Sequence, residues 1–193
     1  MMQDHWTINF PDWFQWADRG NTPGNEQPGV YLLARFEDQS KPIGNADPLI
    51  ENVIYIGQSA QKMINRWKSF DATAFGGRTK KPHKGALLYK DQEYQEPLKT
   101  LYVASMVSVP QNFKSKWDDW VENPGPIADA LNKREGIRKV TNAEVQKYGN
   151  LRRSKPTVKE KGPLNQAWVM YVERKLILEF LLRWDRLPTC NRQ

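Results

Sequence analysis

At 193 residues, with eight Trp, seven Tyr and seven Phe, the chain holds enough bulk for one domain with a substantial core, which argues against an unfolded polypeptide. No apolar run reaches the ~18–20 residues of a membrane helix, "MMQDHWTINF" lacks the pattern of a secretory leader, and the lone Cys190 leaves no internal disulfide, so a reducing cytoplasm is expected. The net charge of +7 is concentrated between Lys133 and Lys161, where ten Lys/Arg stand against three Glu. That excess points to a polyanion, nucleic acid first, ahead of a merely solvated basic loop or of a membrane surface, for which the segment lacks an apolar face.

In chain order, "INFPDWFQWADRG" predicts a short helix, with Pro11 at its first position, Trp13, Phe14 and Ala17 near one face, and Gly20 ending it. "VYLLARF" and "NVIYIG" predict two strands joined by "EDQSKPIGNADPLIE", which is rich in turn formers and too long for a tight hairpin. Ser59 is expected to cap a helix reaching about Phe70, and "TLYVASMVSV" to form a third strand bounded by Pro110. "SKWDDWVEN" and "PIADALNKRE" read as helical pieces broken by "PGP". "TNAEVQKYG" reads as a helix opened by a Thr141–Glu144 capping box, and "LNQAWVMYVERKLILEFLLRW" as a long last helix left at Pro188. The expectation is a single α+β domain over 1–193, with a small three-stranded antiparallel sheet flanked by helices and a basic insertion, 113–161, before the last helix.

Strand alternation places Val30, Leu32, Ala34 and Phe36 on one face, with Ile54 and Ile56 joining them from the second strand. Tyr31 and Tyr55 then share the opposite, less apolar face, each beside a glycine that admits close approach; the competing reading is that tyrosine is simply a common strand residue. Arg66 edges the stripe Met63, Ile64, Trp67 and Phe70, so its stem packs while its planar fork stays at the rim, suited to a phosphate. Glu173 has Val169, Met170, Leu176 and Ile177 as its helix neighbours, where a carboxylate is costly unless a cation or hydrogen-bond network meets it. A metal ligand and a structural salt bridge both remain open for it. Glu179, by contrast, has Lys175 and Arg183 for ordinary surface pairs. The tryptophans of "DWFQW" and "WDDW" read as core sooner than as base-stacking platforms.

Taken together, "GVY" at Gly29–Tyr31, "YIG" at Tyr55–Gly57, "RW" at Arg66–Trp67, Glu173 in a late helix and Asn191 beyond it resemble the GIY-YIG nuclease superfamily. The resemblance is clear over residues 28 to about 70, looser over the third strand and last helix, and absent over the basic insertion. It implies an endonuclease, restriction-type among the options, that cuts DNA with one Mg²⁺ or Mn²⁺. In that reading Tyr31 activates water, Tyr55 is its partner, Arg66 clamps phosphate, Glu173 holds the metal and Asn191 supports the site. The interval between the tyrosines is about twice the family's usual one, Gln58 stands where many members have lysine, and Phe70 where several have histidine or tyrosine. His83, in the basic loop "TKKPHKGALLY", is the candidate to replace the lost polar group, against the competing reading of a surface histidine, and Lys62, Lys80, Lys81 and Lys84 are candidates to supply positive charge. Arg138, Lys139, Arg152, Arg153 and Lys155 are expected to contact the nucleic-acid backbone. RNA stays open as a substrate, and a non-catalytic nucleic-acid-binding protein is the alternative.

Overall fold

The computed structural model describes residues 10–37, 42–76, 80–106, 125–133, 136, 138–150 and 163–191. Its frame is an antiparallel sheet of β1 (Phe14–Gln15), β2 (Gly29–Arg35), β3 (Val53–Ser59) and β4 (Leu101–Met106), in the spatial order β1-β4-β2-β3. The class is α+β as expected, but the sheet has four strands, because Phe14 and Gln15 pair with Val103 and Tyr102 in place of the helix expected there. Only Trp16–Asn21 coils, as a 3-10 turn. The extended backbone sends Trp13 into the core on one side of the sheet and Trp16 into the core on the other. A helix would have put these two residues on one face.

Both sheet faces are buried. Val30, Leu32, Ala34, Phe36 and Ile56 face one core, and Tyr31, Leu33, Ile54 and Tyr55 the other. Ile54 thus departs from the expected alternation. The register runs from Leu33↔Tyr55 to Ala34↔Val53, so Ile54 is the extra residue of a bulge and turns to the tyrosine side. That side is not the less apolar one, since Trp16, Met63, Trp67 and Phe70 fill it.

α1 (Met63–Ala74) starts and ends later than expected. Ser59 still belongs to β3, and its Oγ accepts from the Gln61 amide at 3.3 Å. The amides of Met63 and Ile64 donate to the carbonyls of Gln27 and Asn25, which pins the helix start beside β2. α2 (Lys84–Lys90) packs beside α1, in a stretch the sequence suggested was a basic loop. Of the insertion, α3 (Gly125–Asn132) and α4 (Asn142–Asn150) are described. The capping box is present: the Thr141 amide donates to Glu144 Oε2 at 2.9 Å, and the Glu144 amide to Thr141 Oγ1 at 3.3 Å.

α5 (Pro163–Trp184) covers the Val30/Leu32 face, and Ala128, Leu131, Val140 and Val145 join the same core. With the sheet and the insertion both packed against it, α5 buries most of its circumference. Lys175 and Glu179 therefore form a buried ion pair, Nζ to Oε1 2.5 Å, not the surface pair expected. "SKWDDWVEN" and residues 107–109 of the third predicted strand lie outside the described residues. No described helix is long and apolar enough to cross a membrane.

Candidate functional site

The sheet register builds the centre of the site. Tyr31 on β2 stands directly opposite Gly57 on β3, and Tyr55 opposite Leu33. The two phenol rings lie 5.9 Å apart, tilted by 45°. A Cβ on Gly57 would fall 2.3 Å from Tyr55 Cε1 and 2.8 Å from Tyr31 Cζ, so the missing side chain is the space both rings use. Gly29 serves another purpose: a Cβ there would meet the Met106 carbonyl oxygen at 2.4 Å, a packing constraint between strands.

Trp67 on α1 presses edge-on against Tyr31 at 5.9 Å, and is itself fully buried. The preceding residue, Arg66, is exposed, as expected for a stem at the rim of the apolar stripe. Its guanidinium acts on both phenols, through charge and side-chain hydrogen bonding, in the direction that favours phenolate. Burial opposes it and wins: Tyr31 is raised well above the ordinary phenol value, mainly by burial and then by Tyr55. Tyr55 is pushed up to about 12, by burial first and then by the Glu173 carboxylate. Glu173, half-buried on α5, is felt by both tyrosines. Tyr31 on β2 and Tyr55 on β3 thus each feel the charge of Arg66 on α1 and of Glu173 on α5, the latter from the helix that covers the other face of the sheet.

His83 is buried, not a surface residue of a basic loop. It caps the start of α2, and its Nε2 lies 3.4 Å from Tyr31 Oη. Burial, followed by the charge of Arg66, lowers its pKa to about 3. Asn191 clamps the backbone of the strand that carries Tyr55. Its Oδ1 accepts from the Ile56 amide at 2.7 Å and its Nδ2 donates to the Ile56 carbonyl at 2.7 Å. The Cys190 amide donates to the Ile54 carbonyl at 2.7 Å, which satisfies the bulge residue.

The basic residues divide into two groups. Lys80, Lys81 and Lys84 are exposed on the approach to His83, and exposed Lys62, just before α1, pairs with Glu26. Arg138 and Lys139 lie elsewhere. The Arg138 amide donates to the Leu182 carbonyl at 3.1 Å, and its guanidinium pairs with Glu144 at 3.0 Å. Lys139 bonds the Asn132 carbonyl. Leu182 is nine residues past Glu173, about 13 Å of helix rise, so Arg138 and Lys139 are not gathered with the phenols. Arg152, Arg153 and Lys155 lie outside the described residues.

Gly85, which sequence reasoning passed over, belongs to this site. A Cβ there would come within 2.5 Å of Tyr55 Cε2, so the first turn of α2 rests directly on that ring. A glycine inside a short helix, at a cost in helix stability, was the available signal. Phe70 is a fully buried core residue 5.4 Å from the His83 ring, and the Oε1 of Gln58 has no hydrogen-bond partner among the described residues.

Among the described residues no three His, Cys, Asp or Glu side chains cluster as a metal cage. A single carboxylate such as that of Glu173 nonetheless suits Mg²⁺ or Mn²⁺, which keep waters and take one or two carboxylates together with substrate phosphate. Glu173 raises both phenols by its charge, and a cation beside it would offset that effect. No protein-family model, curated protein or solved structure matches the chain.

Proposed function

We propose that the chain is a divalent-metal-dependent endonuclease of the GIY-YIG type, hydrolysing phosphodiester bonds in DNA. The observation that supports this reading is that the paired phenols of Tyr31 and Tyr55 both feel the charges of Arg66 and Glu173. A Mg²⁺ or Mn²⁺ ion held by Glu173 supplies, when bound, positive charge against the scissile phosphate. Arg66 grips a non-bridging phosphate oxygen with its planar fork and orients the phosphorus for attack. Tyr31 accepts the proton of the attacking water. Its buried phenol does this near neutrality only with cationic charge beside it, and Arg66 is part of that charge. Tyr55 holds the neighbouring hydrogen-bond position, while Asn191 keeps the strand beneath it in register. Lys80, Lys81 and Lys84 carry the strand toward the site by its phosphates. Restriction-type selectivity would then fall to the insertion, whose described part docks against α5.

Gln58 and Phe70, the latter buried in the core, favour a second reading: a nucleic-acid-binding protein without catalysis. Supercoiled plasmid with Mg²⁺ separates the two, with an RNA substrate run in parallel. The endonuclease nicks the plasmid and loses that activity in Tyr31→Phe and Glu173→Gln. Retardation without nicking would transfer the chain to the second reading.

A further inference from the structure

We infer that His83 is a fixed, neutral hydrogen-bond donor to the phenolic oxygen of Tyr31, and so a positioning residue for that phenol. The inference rests on the endonuclease reading for its consequence but not for its geometry. Nδ1 of His83 faces the Ala86 amide at 3.2 Å, an N–H it shares with the His83 carbonyl at 3.0 Å. A nitrogen that faces a donor carries no proton of its own, so the ring's hydrogen sits on Nε2. Nε2 is the atom 3.4 Å from Tyr31 Oη, a separation that closes readily when a substrate tightens the site.

The surroundings hold the ring in this pose. Thr73 Oγ1 accepts from the His83 amide at 2.9 Å, which ties the residue to α1. Phe70 and Tyr55 pack edge-on against the imidazole at 5.4 and 5.6 Å. Gly85 lets the turn come this close to Tyr55. Burial and the nearby Arg66 charge keep the ring neutral through the physiological range. His83 therefore does not shuttle protons. Its N–H favours negative charge on Tyr31 Oη, while the O–H of the neutral phenol is hydrogen-bonded toward Tyr55. His83 is thus a positioning residue acting through Tyr31, supplied by a helix start 17 residues after Arg66.

The test is nitrogen-15 NMR of the metal-free full chain, where the only other histidine is His5. The expected result is an Nε2–H tautomer that does not titrate between pH 5 and 8, with an Nε2–H signal that moves in Tyr31→Phe but not in Tyr55→Phe. An Nδ1–H tautomer, a protonated ring at pH 6, or a signal indifferent to Tyr31→Phe overturns the inference. Nicking provides the second readout: His83→Phe, which preserves the ring packing, slows cutting about tenfold, the equivalent of one hydrogen bond to a charged group. His83→Gln, which keeps an N–H, restores most of it. Equal rates in His83→Phe and wild type count against the role. If the wild-type chain does not cut at all, the endonuclease reading fails while the NMR result still decides the hydrogen bond.

Discussion

Tyr31 and Gly57 face each other across the β2–β3 pair, and the Tyr31 hydroxyl lies 2.9 Å from where a Gly57 side chain would begin. Gly57→Ala therefore forces apart the two rings the site depends on. Overpacking of this kind costs ~1–3 kcal/mol. Urea denaturation should show that loss, and plasmid nicking should fall much further than the stability does.

Asn191 contributes through Ile56. Replacing it with alanine removes two hydrogen bonds from the outer edge of β3, at the buried Ile56. The expected cost is ~1–3 kcal/mol, read as a lower urea midpoint with an unchanged slope. A midpoint equal to that of the wild type would mean water replaces the clamp without loss.

Arg66 is exposed, so its substitution should leave stability within about 0.5 kcal/mol of the wild type. Arg66→Lys keeps the charge but loses the planar fork. Cutting should drop by at least tenfold in Arg66→Lys and further in Arg66→Ala, with thermal midpoints unchanged. Equal activity of wild type and Arg66→Lys would remove the two-pronged phosphate grip.

The low pKa of His83, about 3 against the ordinary 6.5, predicts a pH-dependent stability. Above pH 6.5 folded and unfolded chains both hold the ring neutral, and the group has no effect. Below it, the unfolded chain takes up a proton that the folded chain refuses. Stability therefore falls as pH drops from 6.5 toward 3, by up to ~1.4 kcal/mol per pH unit. His83→Gln lacks this slope. Denaturation of both proteins at pH 7, 5.5 and 4.5 should show wild type losing ground relative to the variant.

Much of the site was legible from residue spacing. Two strands with tyrosines on a shared face, an arginine beside an apolar stripe and a carboxylate late in the chain are all local patterns. What local pattern could not carry was the bulge. An extra residue at Ile54 reverses which neighbours face the tyrosines, and no side-chain preference there announces it. The short α2 has Gly85 inside it and basic residues around it, so it reads as a loop until its packing on Tyr55 and Phe70 is seen. Helical spacing puts Glu173 in an apolar stripe and Glu179 among surface charges, whereas in the structure Glu179 is the more deeply buried of the two. Neighbours at helical spacing discriminate only when a helix has one buried face, and α5 is covered by the sheet and by the insertion. Charge alone points Arg138 toward phosphate; its partners within the fold, Glu144, Asp185 and the backbone near the end of α5, are not visible from charge.

The proposal that Tyr31, Tyr55, Arg66 and Glu173 act around one cation is tested most directly by paramagnetic broadening. The chain is labelled with fluorotyrosine, bound to an uncleavable phosphorothioate duplex, and titrated with Mn²⁺, the signals being assigned by single Tyr→Phe variants. The account predicts that the Tyr31 and Tyr55 signals broaden first in the wild type and stay sharp in Glu173→Gln. Tyrosine signals untouched by Mn²⁺ in the wild type, or broadened just as strongly in Glu173→Gln, would contradict it.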